Sequence, residues 1–270
     1  GPREVLRLQA EGMQLMLFLA DGRRQADLVA QLLQYRVDGI VLAATTLNSE
    51  LANACAQAGI PVVLFNRVAD TQDRGFHSVQ TDQSEGARQL TNLLLAAGHR
   101  RIAYLAGSQD ASTNQAREQG CREALSVARR RLFAYGEGDY SAERAQIVVR
   151  TWFMREDGAR KPAAECPDAI VAADDQMALA AIDTLRHELG IKVPEQVSVV
   201  GFDDVPQAAW AAYQLTTYAQ PLPEMIDSVM RLLSVQLGSQ GADKARKPRG
   251  KAVVLTGRLQ QRGSARLGPA

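Results

Sequence analysis

The sequence predicts an α/β protein with doubly wound, mostly parallel sheets, and two observations support this class. Short apolar runs rich in β-branched residues alternate along the chain with amphipathic stretches of helical length. Glycine ends several of the helical stretches shortly before a strand begins, as at Gly59, Gly98 and Gly190. Alternation at this spacing requires right-handed crossovers, which place helices on both faces of a parallel sheet.

The elements follow one another in a regular order. Six segments have the composition of buried strands, namely 15–19, 39–43, 61–65, 102–106, 169–172 and 197–202. Seven have helical periodicity, namely 24–36, 49–57, 82–97, 114–129, 141–153, 175–189 and 222–237. The polar, basic stretch 239–251 is predicted to be a solvated loop and not a nucleic-acid patch.

Length and composition exclude several classes of protein. The 270 residues suffice for one large α/β domain or for two lobes of about 100 to 150 residues each. Apolar residues make up 46% and charged residues 23%, and no apolar run approaches the roughly 20 residues that span a bilayer. The net charge of +1 gives no basic footprint for nucleic acid. A globular protein without a membrane partner is therefore expected.

The cysteines and the start of the chain bear on the compartment. Cys55, Cys121 and Cys166 are odd in number and lie far apart. They lack the paired spacing of a zinc site or a disulfide framework, so they are predicted to be buried or half-buried thiols in a reducing compartment. No basic segment followed by an apolar stretch opens the chain, so nothing indicates export. A cytoplasmic protein without a metal or other cofactor is expected.

The sequence lacks the common motifs of catalysis and nucleotide binding. It contains no Gly-x-Ser-x-Gly, no Gly-Lys-Ser/Thr phosphate loop and no Gly-x-Gly-x-x-Gly that joins a strand to a helix. His77, His99 and His187 are not spaced as ligand pairs, and His99 is predicted to be structural, at a helix-to-strand turn. The prediction is therefore that the chain is not an enzyme.

Two aspartate pairs, Asp174-Asp175 and Asp203-Asp204, follow predicted strands. Ligands of doubly wound sheets bind beyond the carboxyl ends of the strands, so these pairs are candidates for a binding site. The second member of each pair is expected to cap a helix or to form a turn, and the first to face a cleft. An enzyme that uses Asp174 and Asp203 as paired carboxylates on a glycoside is the weakest alternative.

A series of sequence blocks in a fixed order carries a family resemblance over roughly residues 12–262. The blocks are Arg36-Val-Asp-Gly-Ile-Val41, Ala58-Gly-Ile-Pro-Val-Val63, Asp82-x-x-x-Gly86, Ala97-Gly-His-Arg-Arg-Ile102, Leu105-Ala-Gly107, Arg117-x-x-Gly120, Ala173-Asp-Asp-Gln-Met-Ala178, Val193 to Asp204, Leu215-Thr-Thr217 and Gln220-Pro221. They resemble the effector-binding domain of the lactose and galactose repressor (LacI/GalR) family, which shares its fold with periplasmic sugar-binding proteins.

The resemblance implies two lobes of the type I periplasmic-binding-protein fold, joined by three strand crossovers, with the ligand in a cleft. The predicted amino-terminal lobe comprises residues 1–107 and 219–249, and the carboxyl-terminal lobe comprises 108–218 and 250–270. The opening strand of the first lobe is expected to be missing from this chain. So are the helix-turn-helix headpiece and the hinge helix that precede this domain in the family.

The resemblance also implies ligand contacts in the carboxyl-terminal lobe. Arg117 matches the arginine that donates to sugar hydroxyls, and Asp203 matches the aspartate that accepts from two neighbouring hydroxyls. Tyr140 matches an aromatic residue that stacks on the ligand ring. Asp174 stands where the family more often has asparagine. That departure removes a donor, and it favours a ligand with more donors or a cationic group.

Further ligand contacts are expected from the same resemblance. Gln220 matches a polar hinge residue that faces the ligand, Thr113 is a further predicted contact, and Arg67 and Asp82 match cleft positions on the other lobe. The purine-binding branch of the family carries an arginine where Ala111 stands here. A purine effector is therefore disfavoured, and a sugar or polyol-like ligand is expected.

The implied function is that of an effector-sensing domain whose lobes close around the ligand. In a homodimer that change would alter operator DNA binding by headpieces outside this chain. A periplasmic sugar-binding transport protein is the alternative, because it would share every cleft residue. Two structural interpretations also stay open, with Arg117 and Asp203 forming only a structural ion pair and Tyr140 belonging to the core.

Overall fold

The computed structural model describes residues 14, 16, 34–43, 49–67, 76–238 and 250–266. The described chain falls into two compact units. The first unit lies within Gly1–Thr81 and Pro221–Leu255, and the second within Asp82–Gln220 and Thr256–Ala270. Both units are therefore discontinuous in sequence.

The first unit contains a parallel sheet with the strand order β1-β2-β3-β9. Its strands are β1 (Ile40–Leu42), β2 (Val62–Phe65), β3 (His77–Thr81) and β9 (Ala252–Leu255), and its helices are α1 (Ser49–Gln57) and α6 (Leu222–Gly238). Met225, Val229 and Leu233 recur every four residues, so they form one face of α6, which packs against Val63 and Val79 of the sheet.

The second unit contains a sheet with the strand order β10-β8-β7-β6-β4-β5, in which only the β10–β8 pair is antiparallel. Its strands are β4 (Ile102–Ala106), β5 (Ala134–Glu137), β6 (Ala169–Ala172), β7 (Ser198–Asp203), β8 (Thr216–Ala219) and β10 (Arg258–Gln260). The strands β4 and β6 are buried throughout, as expected for parallel strands that helices cover on both faces.

Helices of the second unit connect these strands. They are α2 (Gln83–Ala96), α3 (Ser112–Val127), α4 (Ala142–Phe153) and α5 (Asp175–Asp183), which continues as a π-helical turn over Thr184–Glu188. Short 3-10 turns lie at Ala163–Glu165 and Pro206–Ala209. The crossovers β4-α3-β5 and β6-α5-β7 give the doubly wound pattern that the sequence predicts.

The α/β class and most predicted elements are confirmed in the described residues. The predicted strand 15–19, most of the helix 24–36 and most of the loop 239–251 lie outside them. Five strands were missed by the prediction: His77–Thr81, Ala134–Glu137, Thr216–Ala219, Ala252–Leu255 and Arg258–Gln260. Four of them contain polar residues, and the fifth, Ala252–Leu255, is apolar but only four residues long. Three of the five lie at a sheet edge, where strands are short and half-exposed.

The expected first boundary, after Gly107, differs from the observed division after Thr81. The physical reason is the pairing of β4, whose residues Ile102 and Leu105 face Ala169 and Ala172 of β6 in a parallel ladder. Both β4 and the helix before it therefore belong to the second unit. The later boundaries lie two and six residues from the expected ones, after Gln220 and after Leu255.

Two smaller predictions, on the cysteines and on His99, are also confirmed. The thiols of Cys55, Cys121 and Cys166 are free and buried. His99 is buried, and its Nδ1 lies 3.3 Å from Oδ1 of Asp168, so the residue is structural. In the described part of the chain, no helix has the length and apolarity needed to cross a membrane.

The helices α2 and α3 pack closely at Gly120, where a Cβ atom would collide with the backbone carbonyl oxygen of Ser84. We expect Gly120→Ala to destabilise the second unit by about 1–3 kcal/mol, because one helix must move away from the other. Alanine is otherwise favoured over glycine in a helix by about 1 kcal/mol, so any loss reports the collision. Urea unfolding of the variant measures it.

The control for this prediction is Gly238→Ala at the end of α6, where no atom of the described residues outside the adjoining helix turn lies within 4 Å of the added methyl group. That variant should unfold at the same urea concentration as the parent chain or at a slightly higher one. A Gly120→Ala chain as stable as this control would contradict the close packing.

Candidate functional site

The candidate site lies in the second unit, beyond the carboxyl ends of β6 and β7. These strands are parallel neighbours, so the residues after them emerge at the same edge of the sheet. Asp203 ends β7, and Asp174 follows β6 by two residues. Strand order alone therefore brings the first members of the two aspartate pairs together.

Arg117 on α3 is the central cation of this site, and only 4% of its surface is exposed. Its Nε donates to Oε1 of Gln83 over 2.7 Å, its Nη1 to the carbonyl oxygen of Ala173, and its Nη2 to Oδ1 of Asp203 over 3.1 Å. Its Cζ also lies 3.8 Å from the ring centroid of Phe202. Every guanidinium nitrogen thus has a protein acceptor, which is what a buried charge requires.

Asp203 is held in one orientation from two sides. Its Oδ1 accepts from Nη2 of Arg117 and, over 2.6 Å, from Nε2 of Gln220. Its backbone φ is +117°, and that of Asp204 is +56°, which is a costly conformation for residues other than glycine. Oδ2 of Asp203 accepts no hydrogen bond from any described residue, and the side chain is 30% exposed, so this oxygen is available to a ligand.

Asp174 corrects one prediction, because it and not Asp175 caps α5. Its Oδ1 accepts from the backbone N–H of Met177 over 2.8 Å, whereas no described residue donates to its Oδ2. Burial and then the negative charge of Asp203 raise the pKa of Asp174 to about 6, although the Met177 N–H and Arg117 lower it. Asp174 therefore offers a second, nearly buried acceptor beside Asp203.

Asp175 has a role that the sequence did not reveal. It is fully buried, and it accepts from Oγ1 of Thr217 over 2.6 Å and from the backbone N–H of Val205 over 2.9 Å. It thereby ties the start of α5 to β8 and to the loop after β7. Burial, followed by the charges of Asp203 and Asp174, raises the pKa of Asp175 to about 7. Asp204, by contrast, lies between β7 and the 3-10 turn that begins at Pro206, and its Oδ1 accepts from Arg262 over 2.7 Å.

Tyr140 lies over the backbone of Gly107, where even a Cβ atom would collide with its ring. Its hydroxyl is 3.4 Å from Oγ1 of Thr113, which brings two predicted ligand contacts together. Asn114 fixes the turn below, because its Oδ1 accepts from the backbone N–H of Gly107 over 2.8 Å. The pKa of Tyr140 is raised by burial and responds to the charges of Arg117, Asp174 and Asp203, so the ring belongs to the same cluster.

The remaining predicted contacts take different places. Gln220 joins the cluster through Asp203. Asp82 was expected in the first lobe, but it belongs to the second unit. Its carboxylate caps α2 by accepting from the N–H of Glu85 over 3.0 Å. Arg67 lies in the first unit, after the end of β2. The roles of Asp82 and Arg67 in ligand binding stay predictions.

The chemistry of the cluster is that of an acceptor-rich binding site. One arginine, each of whose three guanidinium nitrogens donates to a protein acceptor, stands among three carboxylates, and two carboxylate oxygens have no donor among the described residues. Such oxygens bind hydroxyl and ammonium groups and repel anions. The described residues contain no cluster of three or more side chains suited to a metal ion.

Comparison with known proteins identifies the family. Residues 91–265 match the model of the periplasmic binding protein-like domain. A solved structure that is described as the complex of the transcriptional regulator CelR with cellobiose superposes with a TM-score of 0.82 at 32% identity, over 97% of this chain and 76% of that one. The chain belongs to the LacI/GalR branch of this domain family. A LacI-family regulatory protein from Chloroflexus aggregans superposes with a TM-score of 0.81 at 26% identity, over 98% of this chain and 90% of that one.

Curated relatives of this LacI/GalR domain are transcription regulators and not enzymes, in agreement with the prediction. CelR from Thermobifida fusca is 36% identical over 78% of this chain, which spans 60% of that regulator. AscG from Escherichia coli K12 is 31% identical over 84% of this chain, which spans 67% of that regulator. The chain thus matches part of each of these regulators, and it spans less than two thirds of the length of CelR.

The raised pKa of Asp175 predicts how stability depends on pH. The folded state keeps a proton on this carboxyl up to about pH 7, whereas an unfolded aspartate releases it near its model value of 3.8. Its stabilising contribution is therefore present below about pH 4 and is lost as the pH rises through 7. Asp175→Asn should reduce the loss of thermal stability between pH 5 and pH 8, and calorimetric midpoints at the two pH values measure it. Equal pH dependence in both chains would contradict the assignment.

Proposed function

We propose that this chain binds a neutral or cationic polyhydroxylated ligand, of which a sugar is the leading example, through Asp174, Asp203 and Tyr140. The observation that carries the proposal is the pair of carboxylate oxygens without a described donor, beside an arginine whose three guanidinium nitrogens each donate to a protein acceptor. Adjacent ring hydroxyls donate to two such acceptors at once, and the tyrosine ring suits the C–H face of a sugar. Anionic sugars are selected against by the excess of negative charge.

The longer protein is proposed to be a DNA-binding transcription regulator that this domain makes responsive to the ligand. The kinship with CelR and AscG supports a regulator over the transport alternative, because both are regulators of helix-turn-helix type. Homodimer formation, a cytoplasmic location and operator binding belong to the same proposal. The ligand would act by binding one arrangement of the protein more tightly than another, which is the only way in which it can shift the equilibrium.

Cellobiose is the first ligand to test, because it is named in the CelR complex. A thermal-shift screen should compare it with other neutral sugars, with glucosamine and with glucuronate, since a ligand specific for the folded state raises the unfolding midpoint. Neutral or amino sugars should raise the midpoint and glucuronate should not. A site that prefers glucuronate would exclude the proposed acceptor chemistry.

Asp203→Asn tests the acceptor directly. The change removes the charge on the group that is proposed to accept from the ligand, so we expect binding to weaken by about 1–3 kcal/mol. Titration calorimetry with the best sugar of the screen measures the loss. Asp157→Asn, in an exposed turn of the same unit, is the matched control and should bind as the parent chain does. Unchanged affinity in the Asp203 variant would refute the site.

Binding should also weaken in acid because of Asp174. Its pKa is about 6 in the free protein, and a hydroxyl donor on its Oδ2 favours the ionised form. Affinity for a neutral sugar is therefore expected to fall by about tenfold between pH 7.5 and pH 5.0, as the carboxyl takes up its proton. Asp174→Asn should flatten this dependence. Calorimetry that gives parallel pH profiles for the two proteins would contradict a direct contact with Asp174.

A further inference from the structure

Gln83 forms a hydrogen bond to Arg117 that is not one of the proposed ligand contacts. Gln83 is buried, it is the first residue of α2, and it is the second residue of the second unit. Its Oε1 accepts from Nε of Arg117, the guanidinium nitrogen that is attached to the aliphatic part of the side chain, whereas Nη2 donates to Asp203. Gln83 therefore holds the guanidinium group at Nε, while Asp203 holds it at Nη2.

The packing of α2 on α3 keeps this contact in place. Gly120 meets the backbone of Ser84 so closely that no side chain fits between the helices. Arg117 is three residues before Gly120 and so lies on the same face of α3, and Gln83 is the neighbour of Ser84. The distance between Gln83 and Arg117 is thus set by a rigid helix pair and not by a flexible loop.

Four side chains form a continuous chain of hydrogen bonds at this point. Gln83 accepts from Arg117 over 2.7 Å, Arg117 donates to Asp203 over 3.1 Å, and Gln220 donates to Asp203 over 2.6 Å. Gln220 is the last residue before the chain leaves the second unit, and Gln83 comes one residue after the chain enters it. The carboxylate of Asp203 is therefore connected to both of these passages.

We propose that Gln83 is a positioning residue of the effector site, which orients Arg117 so that Asp203 presents its Oδ2 to the ligand. This inference rests on the proposed function, since the ligand is taken to bind at Asp203. It goes further in that a residue without ligand contact sets the affinity. Through Gln220, the same hydrogen bonds couple the orientation of Asp203 to the segments that connect the two units.

The test uses three variants of the whole chain. Gln83→Leu removes the acceptor and keeps the approximate size, and Gln83→Glu keeps an acceptor for Nε of Arg117. Thr91→Val is the matched control, because Thr91 is a buried polar residue of the same helix whose hydroxyl donates to the carbonyl oxygen of Ala87 and not to the cluster. Should Gln83→Leu not fold, Gln83→Asn, whose shorter side chain withdraws the acceptor, takes its place with the same expectation.

Cellobiose is the binding probe in titration calorimetry. We expect Gln83→Leu to raise the Kd by about tenfold or more, because Arg117 loses a charged hydrogen bond and Asp203 its fixed partner. The Kd of Gln83→Glu should stay within about threefold of that of the parent chain, because the carboxylate still accepts from Nε of Arg117. Thr91→Val should leave the Kd unchanged even where it lowers the unfolding midpoint. A Kd for Gln83→Leu equal to that of Thr91→Val would overturn the proposal.

A second measurement does not depend on the ligand. The Nε proton of Arg117, assigned by its absence from the ¹⁵N spectrum of Arg117→Lys, should exchange slowly in the parent chain and in Gln83→Glu, and rapidly in Gln83→Leu. Equally slow exchange in Gln83→Leu would overturn the positioning role. A parent chain that binds neither a neutral nor an amino sugar would contradict the proposed function, and the exchange rate would still decide for or against Gln83.

Discussion

The burial of one permanently charged group, the Arg117 guanidinium, is the constraint on which the rest of the site depends. A guanidinium is permanently charged, so its burial is tolerable only where its nitrogens find acceptors in the protein. Gln83, the Ala173 carbonyl and Asp203 supply those acceptors, and Phe202 supplies an aromatic face. Four separate parts of the second unit are fixed relative to one another by this requirement.

The excess of carboxylates over cations follows from the same arrangement. Arg117 donates one hydrogen bond to Asp203 and none to Asp174 or Asp175. The carboxylates of Asp174 and Asp175 therefore accept only from backbone N–H groups and one hydroxyl. Burial then raises their pKa values to about 6 and about 7. A ligand with many donors can therefore form hydrogen bonds to the ionised carboxylates. Ligand binding thus depends on the protonation of Asp174 and Asp175, which the fold has buried.

The sequence predicted the α/β class and the order of the long elements, because apolar periodicity is a local property. It did not assign β4 to the unit in which it lies, since Ala169, the β6 partner of Ile102, is more than 60 residues away and cannot be identified from the strand itself. Arg117 and Asp203 could be predicted through the family resemblance. Gln83 could not, because a glutamine at a helix start fits no motif and its partner is set by helix packing.

The conformation of Asp203 connects binding energy with folding energy. A φ of +117° in a residue that carries a Cβ costs free energy, and it persists because β7 lies between two parallel partners and Oδ1 is held by Arg117 and Gln220. The fold thereby orients Oδ2 before any ligand arrives, which spares the complex the cost of ordering that side chain. Contacts such as the one from Gln83 should therefore act on affinity through the free protein, by determining how much of it already has Asp203 in the orientation that binds.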